Sequence, residues 1–137
     1  MPHRLYPQVA GRANYRCEYC LAPEATSPGR FQVGHIVPRV QGGSDDLANL
    51  ALACSACIRR KSQATLALDV ETSTVVPLFK PRRDVWDTHF RFHLATDGIT
   101  IVGITPSGRA TVQRLGMNDP HIVDARLLWW RLELFPP

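Results

Sequence analysis

Two Cys-x-x-Cys pairs, Cys17/Cys20 and Cys54/Cys57, constrain this chain more than any other feature of its 137 residues. Each pair sets two thiols on one tight turn, a knuckle. Two knuckles supply four sulfur ligands, the set that structural zinc prefers. A redox motif needs only one such pair, commonly where a helix opens after a strand. The sequence holds no fifth cysteine. The pattern therefore predicts a closed, structural zinc site, because four thiolates leave no coordination position for a reacting water. Binding free energy at such sites is on the order of 10 kcal/mol, enough to hold a small core together.

Composition narrows the setting. Hydrophobic residues make up 45% of the chain and charged residues 20%, ordinary values for one globular domain with or without a small appended unit. The longest apolar runs, such as Ala51 to Cys54 and Leu127 to Trp130, fall far short of the roughly 20 residues of a membrane-spanning helix. Met1-Pro2-His3-Arg4-Leu5-Tyr6-Pro7 lacks the apolar stretch of a secretory signal. A reducing, cytoplasmic location is the expectation, and disulfides are not. Sixteen Lys and Arg against twelve Asp and Glu leave a net charge of +4, and only Lys61 and Lys80 are lysines. Arginine suits planar, bidentate contact with phosphate. The balance permits a nucleic-acid partner without requiring one.

Between the knuckles, Phe31 to Pro38 reads as a strand with Phe31, Val33 and His35 on one face. Pro38 ends regular pairing. Gln41 to Asp46 is rich in turn formers and reads as a loop. Leu50 to Ala53 reads as a second strand entering the second knuckle. A helix is expected from Cys57 to about Thr65, carrying Arg59, Arg60 and Lys61 in its first turns.

The ordered set Cys17-x-x-Cys20, His35-Ile36-Val37-Pro38, Gly42-Gly43, Asn49-Leu50, Cys54-x-x-Cys57 and Lys61 resembles the HNH endonucleases. The resemblance implies a zinc-stapled ββα core, the His-Me finger. It also implies a nuclease that hydrolyses phosphodiester bonds, with DNA as the expected partner and Mg²⁺ or Mn²⁺ as the catalytic ion. His35 falls at the family's general base and Asn49 at the residue that orients it. The chemistry agrees, since a water must lose a proton before it attacks phosphorus and a neutral imidazole is a suitable base. Read without the resemblance, His35 could be a core histidine and Asn49 a turn or cap residue.

The chain departs from the family at two positions. The residue before the histidine, usually Asp, Glu or His, is Gly34, and the residue after the last cysteine, usually Asn or His, is Ile58. Neither side chain can coordinate Mg²⁺, which takes oxygen ligands. Three alternatives stay open at this point. Other side chains, His89, His93, Asp45 or Asp46, could supply ligands. The ion could be held largely by water and the substrate phosphate. Or the site could be catalytically degenerate, leaving a nucleic-acid-binding module. A zinc-stabilised protein-interaction module is a further, different reading. Arg39, Arg59, Arg60, Lys61, Arg82 and Arg83 are the candidate phosphate contacts.

After the core, Leu68 to Phe79 reads as a turn and a short strand, and Lys80 to Asp84 as a basic loop. Trp86 to Leu94 alternates, with Phe90, Phe92 and Leu94 facing one way and His89, Arg91 and His93 the other. Thr96-Asp97-Gly98 reads as a hairpin turn returning through Ile99 to Ile104. One bacterial subgroup of the HNH family resembles this stretch too, through Leu78-Phe79, Pro81-Arg82, Trp86 and His89-Phe90. Thr105 caps a helix with Pro106 at its first position, stopped by Gly116. A second helix, capped by Asn118 or Asp119, is expected to run from Pro120 to about Leu134, with Val123, Leu127, Trp130 and Leu134 as its core stripe. The expected fold is α+β: a zinc-stapled core over residues 1–66, then a β-hairpin and two helices over residues 67–137 packed on it.

Overall fold

A computed structural model describes residues 3–137. The chain opens with helix α1 (Tyr6–Arg12), where Pro7 fits the first turn because its missing N–H has no partner to lose. The first knuckle follows. Strands β1 (Gln32–His35) and β2 (Leu50–Ala53) pair antiparallel with His35 opposite Leu50, and helix α2 (Ser55–Lys61) leaves directly from β2. This is the expected ββα order. The four residues of β2 are fully buried, covered by α1 on one side. Leu52 N–H donates to Glu18 Oε2 at 2.7 Å and Glu18 N–H donates to Leu52 O at 2.8 Å, so the first knuckle pairs with the edge of β2.

Beyond α2 the architecture differs in detail from expectation. Strand β1 is shorter than Phe31 to Pro38, because Pro38 opens a 3-10 turn. Helix α2 begins earlier, with Cys54 at its N-cap, and stops at Ser62, whose φ is +50°. Leu66, the residue after the expected helix, starts strand β3 (Leu66–Asp69), which pairs antiparallel with β4 (Thr74–Pro77). The molecule therefore has two hairpins after the core. Leu66 and Leu68 face solvent while Asp69 is buried, an inversion of ordinary patterning. Asp69 is matched by Arg109, whose Nε and Nη2 each lie 3.0 Å from its carboxylate, and by Thr72 Oγ1 at 2.6 Å. These contacts, Arg109 first, hold the Asp69 carboxyl well below the usual carboxylate range.

Trp86 to His89 is not part of the next strand. It forms a single-turn helix, α3 (Trp86–His89), and alternation begins only at β5 (Phe90–Ala95), paired with β6 (Gly98–Gly103). The turn aims the Trp86 indole N–H at Tyr19 O, 2.8 Å away, and stacks its ring on Phe92. Of the three residues expected to share a face, Phe90 is buried, whereas Leu94 is exposed. Helix α4 (Pro106–Arg114) has the expected cap: Thr105 Oγ1 accepts from Gly108 N–H at 3.0 Å. Gly116 stops it with φ +59°.

Helix α5 (Pro120–Arg131) ends three residues before the expected Leu134. Its buried stripe is also not the expected one. Trp130 is 51% exposed, and the fully buried residue is Arg126. The Arg126 guanidinium donates to Ile99 O at 3.1 Å, to Asn118 Oδ1 at 3.2 Å and to Met117 O, and lies over the Phe135 ring. Carbonyl oxygens receive its Nη1 and Nη2 donors, which makes the burial tolerable, while its buried Nε has no partner. One hydrophobic cluster runs from Val9 and Leu52 through Phe79 and Phe90 to Leu115 and Met117, crossing the 66/67 boundary expected from sequence. No described helix is long and apolar enough to cross a membrane.

Candidate active site and metal centre

The sulfurs of Cys17, Cys20, Cys54 and Cys57 all lie within 4.8 Å of one another. The first knuckle closes through Cys17 N–H to Ala22 O at 2.9 Å and Leu21 N–H to Cys17 O at 2.8 Å, with Leu21 at φ +65°. Cys20 N–H points at Cys17 Sγ, 3.5 Å away, an arrangement that favours a negatively charged sulfur. The second pair lies on the cap and first turn of α2. A zinc–sulfur distance of about 2.3 Å in a tetrahedral site separates sulfurs by about 3.8 Å, and Cys20 Sγ and Cys54 Sγ are 3.8 Å apart. Donor type, burial and spacing thus fit a structural zinc ion. Without a cation, burial and then the hydrogen bond from Cys20 push the Cys17 thiol up. A dication removes that penalty by pairing with the thiolates.

His35 ends β1 and lines a cleft of about 230 Å³ with Gly34, Ile58 and Lys61. Its side chain is 21% exposed, and its Nε2 lies 2.7 Å from Asp45 Oδ1. A carboxylate only accepts, so Nε2 carries the proton and Nδ1 keeps its lone pair in the neutral ring. Arg39 Nε donates to the same Asp45 oxygen at 2.8 Å. The bonds from Arg39, and then His35, hold the Asp45 carboxyl below its ordinary value.

Asn49, expected to orient His35, touches the loop instead of the imidazole. Its Oδ1 accepts from Val37 N–H at 2.9 Å, and its Nδ2 donates to Val37 O at 2.9 Å and Ser44 O at 2.8 Å. It clamps both ends of the loop that delivers Asp45. Gly43 fits beneath this clamp, where a Cβ would collide with Val37 O. In the sequence Asp45 is visible only as a turn residue or spare ligand. Nothing in a ten-residue separation across a loop identifies it as the partner of His35.

The expected phosphate contacts divide. Arg39 and Arg59 are exposed, Arg39 paired with Asp45 and Arg59 on α2; Arg83 is exposed on the loop before α3. Arg60 is paired with Asp119. Arg82 sits at φ +74° and pairs with buried Glu18 at 2.5 Å, lining a different cleft with Arg12 and Trp86. Lys61 is buried, and its Nζ donates to His35 O at 3.3 Å. Burial, and then the charge of Arg114, brings the Lys61 amine down to about 8.

The substitute metal ligands do not gather. His89 Nδ1 is 2.6 Å from Thr105 Oγ1 and its ring packs on Phe79, while His93 is exposed on the second hairpin. Neither lines the His35 cleft. Among the described residues, the four cysteines are the only group of three or more His, Cys, Asp or Glu placed to hold one ion. Gly34 and Ile58 oppose each other, and a Cβ on Gly34 would lie 2.6 Å from Ile58 Cδ1. The side chains around His35 do not fit the divalent-ion site that the resemblance implies.

Residues 17–64 match the family model described as HNH endonuclease. No curated protein and no solved structure matches the chain. The match covers both knuckles, the β1–β2 pair, His35 and α2, a unit associated with nuclease or nucleic-acid-binding function. The match, about a third of the chain, identifies an HNH endonuclease domain at residues 17–64.

Proposed function

We propose that the protein is an endonuclease that hydrolyses DNA phosphodiester bonds, with His35 as the general base. The observation that carries this reading is the pairing of Asp45 with His35, a residue that lines the cleft. Asp45 takes the Nε2 proton in a hydrogen bond, which leaves Nδ1 to accept a proton from an attacking water. Asn49 is a positioning residue, acting through the loop that carries Asp45. Exposed Arg39 and Arg59 supply contacts to flanking phosphates.

The test is nicking of supercoiled plasmid by zinc-loaded protein beside His35→Ala. Loss of a general base is expected to slow cleavage by roughly 10²–10⁴-fold, with zinc content unchanged. An equal rate in the variant removes His35 from the chemistry. A second reading is favoured by the apolar Gly34–Ile58 contact: a nucleic-acid-binding protein on the same scaffold. It requires a plasmid shift that weakens steeply with salt and no nicking.

A further inference from the structure

The cleft beside His35 holds a buried cation without an anion. Lys61 is the last residue of α2, is 5% exposed and lines the cleft with Gly34, His35 and Ile58. An ammonium carries three donors. Among the described residues the one acceptor for Lys61 Nζ is His35 O, and no carboxylate pairs with it. Burying a charge in this state is costly. A lysine kept only to cap its own helix would turn toward the last carbonyls of that helix. Here Arg114 takes those carbonyls, Arg60 O at 3.0 Å and Lys61 O at 3.4 Å, and adds a second positive charge nearby. With its amine near 8, Lys61 remains mostly protonated at neutral pH. The two positions where the family places ion ligands meet instead as glycine against isoleucine.

Resting on the nuclease reading above, we propose that Lys61 stands in for the divalent ion: its ammonium binds the scissile phosphate and offsets the charge that builds there. Cleavage then needs no added divalent metal. In the step itself, the water oxygen bonds to phosphorus as its proton passes to His35 Nδ1. The bond to the leaving sugar oxygen breaks, and that oxygen keeps the electron pair and takes a proton from solvent. Lys61 remains an ammonium throughout and neutralises a phosphate oxygen.

The experiment uses the full zinc-loaded chain in buffer freed of other divalent ions, with and without millimolar Mg²⁺. Plasmid nicking is compared for the native protein, Lys61→Met and His35→Ala. Native nicking is expected to be equal, within about twofold, in both buffers. Lys61→Met, which keeps the side-chain volume, is expected to slow it by roughly 10²–10³-fold, the usual effect of losing one preorganised charge donor. In duplex binding, the magnitude of the slope of log affinity against log salt should fall by about 1 in Lys61→Met, because one phosphate is no longer neutralised. Nicking that requires Mg²⁺, is lost in His35→Ala and survives in Lys61→Met overturns the lysine's role and leaves the nuclease reading standing. Nicking that survives in His35→Ala overturns the nuclease reading itself. If no form nicks, an unchanged salt slope in Lys61→Met overturns the binding of phosphate by Lys61 as well. Should Lys61→Met fail to fold, the Mg²⁺ response of the native protein decides alone.

Discussion

Two sites hang on one seven-residue helix, and they are built to different standards. At the start of α2, Cys54 and Cys57 join Cys17 and Cys20 in a set whose four members are all present, close and largely buried. At its end, Lys61 joins His35 in a cleft where the two positions usually occupied by ion ligands are Gly34 and Ile58. The physical difference lies in what each site contributes to folding. The sulfur cluster lies between α2 and the first knuckle, so an ion held there would be part of the fold's stability. The cleft opens to solvent, and the proposed substrate would enter it only after folding is complete. Its chemistry can change while the scaffold stands, whereas loss of one sulfur undermines the scaffold itself.

The largest expected effect is therefore at the staple. Stripping zinc, or Cys57→Ala, removes binding energy on the order of 10 kcal/mol. A typical domain's whole stability is about 5–15 kcal/mol. Circular dichroism is expected to show a chain that loses its cooperative melt when zinc is removed and regains it with one zinc per chain. A metal-stripped protein that melts at the native temperature breaks the comparison, because the cluster would then be a passenger. His35→Ala, by contrast, should leave the melt nearly unchanged.

The second effect separates the emptied ligand positions from the lysine. Gly34→Asp alone forces a Cβ against Ile58 Cδ1, which would lie 2.6 Å away. Gly34→Asp with Ile58→Asn relieves that clash and restores two oxygen donors of the kind Mg²⁺ takes. The double variant is expected to gain Mg²⁺-stimulated nicking of roughly tenfold, modest because Lys61 still repels an ion in the same cleft. The single Gly34→Asp variant should show less of this gain. A double variant as indifferent to Mg²⁺ as the native protein would mean that these positions no longer face the reacting phosphate.

How far each part can be read from sequence follows the reach of its interactions. The knuckles are legible because three-residue spacing and thiol chemistry suffice. Helix α4 is legible because Thr105, Pro106 and Gly116 act within a turn of themselves. Strand β3 is not, because its logic lies forty residues away: Asp69 points inward only because Arg109 meets it there. Arg126 yields to Leu127 and Trp130 in any reading by hydrophobicity for the same reason, since the carbonyls of Ile99 and Met117 make its burial tolerable. Trp86 continues an apparent alternation, yet the hydrogen bond to Tyr19 O draws it into a helical turn. In the cleft, His35 and Lys61 can be named from the motif. The burial of Lys61, and the partnership of His35 with Asp45, come from the path of the loop that Asn49 clamps.

The smallest effect concerns that partnership. Asp45 is 54% exposed, so its bond to His35 is weakened by water and salt. Asp45→Asn is expected to slow nicking by only roughly two- to fivefold, the range for an exposed pair, without shifting the melt. The pH dependence has a definite sign. Arg39 and His35 lower the Asp45 carboxyl, and a carboxylate lowered on folding contributes fully above its unfolded value, about 3.9. That contribution is lost as pH falls through the lower native value. The ratio of native to Asp45→Asn nicking should therefore stay constant from neutral pH down to about 5. Any loss of native activity across that interval must then come from a group other than the Asp45 carboxyl. A ratio that collapses between about pH 7 and about pH 5 would show instead that protonated His35 is held differently by Asp45 than the neutral ring, and that Asp45 tunes the base as well as orienting it.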